Sequence, residues 1–306
     1  MDGGALALRR PDQTQREELM QKDARARRDA FLGKIGSRAI IMGILNLTPD
    51  SFSDGGRFHS LDTALTQAKK MVADGCDIVD VGGESTRPGA TPVAEAEELA
   101  RIEPILGELA RVLDAPLSID TYKAAVARRA AELGAILIND VWGLQHDPGM
   151  ADAVAETETA VVVMHNRVQR DVGIDILSDI RRFFDRSLGL ADAAGIPRER
   201  IILDPGVGFG KTSRQNVEAV ARIDELRDYG LPVLIGVSRK SFLGSLVDVG
   251  IEDRLIATVA ANLAAAASGA VIFRVHDVAE HVAAFKVFDT IRNASTPLSP
   301  PGGERV

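Results

Sequence analysis

The chain has 306 residues, 45% of them hydrophobic and 26% charged, and its formal net charge is −8. That length buries a full core, in one large domain or two smaller ones, and the acidic balance argues against a nucleic-acid partner, which would be met with clustered Lys and Arg. No apolar run approaches the roughly 20 residues that cross a bilayer. The N-terminus also lacks a signal peptide's apolar core, and Cys76 stands alone, so no membrane partner is expected and a reducing cytoplasm fits.

Residues 1–38 are polar and charged and read as an N-terminal extension, with one exposed helix predicted from Gln13 to Phe31. Short apolar runs then alternate with amphipathic segments. The runs are Ile40–Leu45, Ile78–Val81, Leu117–Ile119, Ile136–Ile138, Ala160–Met164, Ile201–Leu203, Val233–Val237 and Val271–Val275, each suited to a strand buried on both faces. Helices are predicted over Leu61–Ala73, Ala94–Leu113, Lys123–Leu133, Ile176–Ala194, Asn216–Tyr229 and Val278–Ile291. Buried strands separated by helix-length segments predict parallel βαβ units. Eight such units within residues 39–293 fit a single-domain α/β fold, the closed (β/α)8 TIM barrel, better than an open doubly wound sheet. Residues 294–306, rich in Pro, Gly and Ser, read as a disordered tail.

In such barrels the active site is built at the carboxyl ends of the strands. The run Ile40–Gly56, IIMGILNLTPDSFSDGG, empties an apolar strand into a polar loop that starts at Asn46. Down the chain the other strand ends add the Gly82–Pro88 loop, Asp120, Asn139-Asp140, His165-Asn166-Arg167, Asp204, Ser238–Ser241, and Arg274 with His276. Helix capping accounts for an Asp or Ser at any one of these places. It does not account for Lys240, Arg274 and His276 converging with three carboxylates. The set as a whole favours a polar ligand with a hydrogen-bonding heterocycle or amide and an anionic group. Asp120, Asn139 and Asp204 would form a floor of acceptors and amides, since a carboxylate accepts paired N–H groups. Arg274 and His276, two apart on one strand, share a face and could grip phosphate; an ion pair of Arg274 with Asp277 or Glu280 is the plainer alternative. Lys240 precedes a helix start at Ser241 that favours an anion, or forms with Arg239 a solvated pair.

Other signals carry less. Gly206–Thr212 resembles a nucleotide loop, but Pro205 stands where a P-loop needs its first Gly. His276 and His281 lack zinc-site spacing, and Mg2+ held by Asn46 together with substrate phosphate is the better metal expectation. His59, His146 and His281 read as surface residues, and Trp142 and Tyr122 as packing or loop residues.

ILNLTPDSFSDGG from Ile44 and GGESTRPGA from Gly82 closely resemble the two signature loops of the dihydropteroate synthase family. SIDTYK at Ser118, IND at Ile138, MHNR at Met164, LDPGVGFGKT at Leu203, GVSRKSFLG at Gly236 and RVHDV at Arg274 resemble that family in the same order. The resemblance implies a folate-pathway transferase, a sulfonamide target, joining p-aminobenzoate to 6-hydroxymethyl-7,8-dihydropterin diphosphate with release of pyrophosphate. It implies a pterin slot lined by Asp120, Asn139, Asp204 and Lys240 and walled by Met164, Phe209 and Gly236. Asn46, Arg274 and His276 would hold the diphosphate, with Asn46 also on Mg2+; the loops would contribute Phe52, Asp54, Thr86, Arg87 and Pro88, with Phe52, Asp54 and Lys240 in catalytic roles. Ser241 would receive the p-aminobenzoate carboxylate, and a homodimer is expected through helices such as Thr258–Ala267. A pterin-dependent corrinoid methyltransferase and a non-catalytic pterin-binding paralogue are the alternatives; the first needs no diphosphate grip.

Overall fold

The computed structural model describes residues 13–47, 57–86 and 89–294. Its elements, in chain order, are α1 (Gln13–Leu32), β1 (Ile40–Asn46), α2 (Arg57–Ala73), β2 (Ile78–Gly82), α3 (Glu95–Val112), β3 (Leu117–Asp120), α4 (Ala124–Glu132), β4 (Ala135–Asp140), α5 (Met150–Thr157) and β5 (Ala160–Met164). They continue with α6 (Ile176–Ala193), β6 (Ile201–Asp204), α7 (Ser213–Ala221), β7 (Leu234–Ile235), α8 (Ser241–Val247), α9 (Leu255–Ser268), β8 (Ile272–Val275) and α10 (Val278–Ala294). Every strand pair is parallel, in the order β6-β5-β4-β3-β2-β1-β8-β7. A bridge from Leu203 to Val233, with Leu203 N–H donating to Pro232 O at 2.9 Å, joins the two ends. The expected (β/α)8 barrel is therefore the fold.

Several ends differ from expectation, each for a local reason. β7 shrinks to two residues because Pro232 has no N–H and the chain leaves at Gly236 for the turn that Lys240 N–H closes on Val237 O. The predicted helix Asn216–Tyr229 starts earlier, at a Thr212/Gln215 capping box, and ends at Ala221, followed by a 3-10 stretch over Ile223–Tyr229. Asn46, Asp120, Asn139 and Asp204 fall inside their strands, because buried backbone keeps pairing until the side chains reach the mouth.

Strand side chains alternate between two faces. Ile41, Val79, Val81, Ile119, Val163, Leu203, Ile235 and Phe273 face outward into the core shared with the helices. Ile40, Met42, Ile78, Val162, Ile202, Leu234 and Ile272 fill the lower lumen as a separate apolar cluster. Phe31 of α1 closes that cluster from below, with Leu32, Ala24 and Ile35 packed beside it. The helix predicted as exposed is thus a plug at its carboxyl end. Its arginines fasten it: Arg27 Nη2 donates to Leu113 O at 3.3 Å, and Arg28 Nη1 to Glu158 O.

Candidate active site

The lumen changes character within one step of the alternation. On β2 the inward residues are Ile78 and then Asp80, and on β8 they are Ile272 and then Arg274. Arg274 bridges two buried carboxylates, with Nε donating to Asp80 Oδ2 at 2.6 Å and Nη2 to Asp120 Oδ2 at 2.7 Å. Asn139 Nδ2 adds a bond to Asp80 Oδ2 at 3.1 Å. Four strands are thereby tied across the barrel. The plainer reading, an ion pair of Arg274 with Asp277 or Glu280, does not hold, because its guanidinium is engaged by Asp80 and Asp120, and Asp277 is taken by Arg239, at 2.5 and 3.0 Å. Asp80 itself escaped the sequence reading. Its signal was a charged residue in phase with inward Ile78 inside an apolar run.

Asp80 Oδ1 and Asp120 Oδ1 are buried without a protein donor, so each offers an acceptor. Burial pushes the Asp120 carboxyl above its ordinary range against the pull of Arg274. Arg274 remains firmly charged: burial opposes this, and Asp80 and Asp120 outweigh it.

Asp204, Lys240, Met164, Phe209 and Gly236 come together beside this group. Asp204 Oδ1 accepts from Gly206 N at 2.7 Å, and a Cβ at Gly236 would lie 4.0 Å from Asp204 Oδ2 and from Arg274 Cβ, so glycine there keeps the space open. Met164 is the buried last residue of β5 and pairs in register with Asp204. Lys240 Nζ donates to Val207 O and lies 4.6 Å from the centre of the Phe209 ring. Burial pulls Lys240 down to about 8, partly offset by Asp204. Burial likewise raises Asp204, with Lys240 opposing. The segment once tempting as a nucleotide loop is a tight wall. Gly206, Gly208 and Gly210 have φ of +66°, +91° and +58°, and their Cβ positions would come within 1.8 Å of His165 O, 2.9 Å of Lys240 Cδ and 2.4 Å of Arg167 O.

The remaining expected residues stand at the rim. His276 Nδ1 pairs with Ser238 Oγ at 2.9 Å, and Ser241 is exposed at the start of α8. Asn46 ends β1, half-buried, with its Oδ1 3.8 Å from where a Gly82 Cβ would be. Thr86 is half-buried, while Phe52, Asp54, Arg87 and Pro88 lie outside the described residues. The stem of the second signature loop is clamped. Glu84 accepts from Tyr122 at 2.7 Å, from Lys123, and from Val93 N at 3.2 Å; Lys123 also reaches Glu98 at 2.5 Å, and Arg101 holds Gly83 O at 2.8 Å. Tyr122 is therefore a loop anchor, as expected of a packing residue, and Trp142 stacks on exposed His146 at 5.4 Å. His281 corrects the surface reading: it is fully buried in α10, with Nδ1 donating to Asp277 O at 2.6 Å.

Among the described residues no group of three His, Cys, Asp or Glu could hold a metal. One amide oxygen, Asn46 Oδ1, suits a Mg2+ ion that keeps its waters and arrives with phosphate rather than a resident ion.

A family model for pterin-binding enzymes matches residues 42–276. Dihydropteroate synthase of Clostridium beijerinckii is 46% identical over 258 residues, covering 84% of this chain and 96% of that protein, and the Bacillus subtilis enzyme is 44% identical over 256 residues, with 84% and 90% covered. Among solved structures, dihydropteroate synthase from Clostridium difficile in the presence of pteroic acid superposes with TM-score 0.82 at 48% identity, covering 84% of this chain and 98% of that one. The Xanthomonas albilineans enzyme with 4-aminobenzoic acid gives 0.80 at 42%, with 83% and 93% covered. Barrel, mouth and relatives agree, and the chain belongs to the dihydropteroate synthase family of pterin-binding enzymes.

Proposed function

We propose that the chain condenses p-aminobenzoate with 6-hydroxymethyl-7,8-dihydropterin diphosphate, giving 7,8-dihydropteroate and pyrophosphate. The observation that carries the reading is one mouth in which buried acceptors (Asp120, Asp204), an amide (Asn139) and an ammonium (Lys240) stand together. A pterin's 2-amino and ring N–H edge offers two donors that would face the Asp204 carboxylate, with the free Oδ1 of Asp120 as a further acceptor. Lys240 would face the pterin's acceptors, with Phe209 and Met164 against the ring faces and Gly236 leaving room for it.

His276 lies one inward step above Arg274, toward the mouth, so Asn46 and His276 are the better grips for the diphosphate. Arg274, already engaged by Asp80 and Asp120, would add charge from below. Breaking the CH2–O bond leaves the diphosphate with extra negative charge, which these groups stabilise more in the transition state than in the ground state. Mg2+ bound with the diphosphate at Asn46 would neutralise part of that charge. The electron-poor carbon is then attacked by the arylamine, which needs no strong base. Phe52 and Asp54 of the first loop, and Thr86, Arg87 and Pro88 of the second, are proposed to cover the ring, with Ser241 at the p-aminobenzoate carboxylate.

The division into an extension (1–38), a barrel (39–293) and a tail (294–306) is proposed with one refinement: the end of the extension serves the barrel as its plug. A homodimer is proposed on the α9–α10 side, where Ile256, Val287 and Ile291 are 82%, 60% and 67% exposed. A cytoplasmic setting is proposed from the single, buried thiol, and no described helix is long and apolar enough to cross a membrane. Titration calorimetry of Asp204→Ala with 6-hydroxymethylpterin tests the slot. Affinity should fall at least about 100-fold, the loss of a charged two-bond contact; unchanged affinity would overturn it.

A further inference from the structure

We propose that Lys211 is a positioning residue for the pterin wall: its buried ammonium, kept in place by the Asp179–His165 pair, holds residues 206–209 in the shape on which Lys240 and Phe209 rely. This rests on the slot reading above. Lys211 is 1% exposed. Its Nζ turns back into its own loop, 2.7 Å from Gly206 O, 3.2 Å from Phe209 O and 2.7 Å from His165 Nδ1. The two carbonyls bracket Val207, whose own carbonyl accepts Lys240 Nζ, and Phe209, whose ring lies under that ammonium. One buried cation thus shapes the seat of a second.

The proton positions follow from the far side of the histidine. Asp179 is held well below the usual carboxylate range, first by the bond from His165 and then by Arg167 and Arg182, so it can only accept. His165 Nε2, 3.1 Å from Asp179 Oδ2, must carry the ring proton. Burial drops His165 to about 4, so the ring is neutral and Nδ1 presents a lone pair to Lys211. Burial also lowers Lys211 well below its ordinary value. Yet all three neighbours of its Nζ are acceptors, and a neutral amine supplies only two donors, so the geometry calls for the ammonium. Glycines complete the fit: at Gly206 any side chain would strike the His165 carbonyl.

The test compares Lys211→Met with the parent protein, using calorimetry with 6-hydroxymethylpterin, and KM for both substrates. Pterin affinity should weaken about tenfold and the pterin KM should rise to match, while the p-aminobenzoate KM stays within about twofold. Asp204 is faced by Lys211, Lys240 and Arg274, so losing one cation should move the acidic limb of pterin affinity to higher pH. A purely packing role would lower thermal stability without moving that limb. Should Lys211→Met fail to fold, Asp179→Asn serves instead. Asp179 is only partly buried, and the amide releases the tautomer, so about threefold weaker binding is expected with a limb shift of the same sign. Unchanged affinity and limb in the variant that folds overturn the role of Lys211. Asp204→Ala separates the two failures: if it also leaves affinity intact, the slot itself is misplaced; if it abolishes binding, only the Lys211 role falls.

Discussion

The same eight strands build two opposite environments. Toward their amino ends the lumen is a dry plug of Ile40, Met42, Ile78, Val162, Ile202, Leu234 and Ile272 under Phe31. Toward their carboxyl ends it holds Asp80, Asp120, Asn139, Asp204 and Arg274. One residue pair along each strand separates them. Stability resides in the lower half, where burying a large apolar side chain contributes about 1.5–3 kcal/mol. The upper half carries buried charges that stabilise the fold little and prepare a binding surface instead.

Arg274→Met should show the contrast most strongly. It strands Asp80 and Asp120, costing about 3–5 kcal/mol in urea unfolding as well as activity. Changing all three together (Asp80→Asn, Asp120→Asn, Arg274→Met) should recover most of that stability and none of the activity. A small loss in the single variant would mean that the ring is not a buried charge network. Phe31→Ala should cost about 3 kcal/mol, transfer plus cavity, and leave both KM values unchanged because the plug lies below the mouth. A changed KM would show that the two ends are coupled.

The third expectation is a pH dependence. Lys240 titrates near 8 in the folded protein, so pterin affinity should fall as pH rises through about 8, and Lys240→Met should lose that limb. Stability should run the other way. The folded state holds this proton less tightly than the unfolded chain, so stability from this group rises between about 8 and the ordinary lysine value near 10.4. Parallel slopes would contradict the burial of Lys240. The smallest effect is expected for Arg214→Ala, whose pairing with Glu218 at 2.8 Å is largely exposed: under about 0.5 kcal/mol.

The barrel was legible because each buried strand is a short, mainly apolar run, and the mouth was legible because several of those runs end on Asn46, Asp120, Asn139 and Asp204. Asp80 was not, since a carboxylate inside a strand is explained only by Arg274, 194 residues away. Lys211 was discounted with a failed nucleotide motif, and only its bond across 46 residues to His165 gives it another meaning. Helix α1 looked exposed because so few apolar residues punctuate its charged run; Phe31 owes its burial to strands scattered over the rest of the chain.

The plug has a consequence for how the protein is made. Phe31 leaves the ribosome ahead of every barrel strand, yet its seat includes Ile272 of the last strand, which also completes β1's second edge. The helix must therefore wait, with its aromatic side chain unburied, until β8 has been made. Folding of this kind closes late and all at once, so nascent chains halted before β8 should accumulate as chaperone clients rather than as partly working barrels.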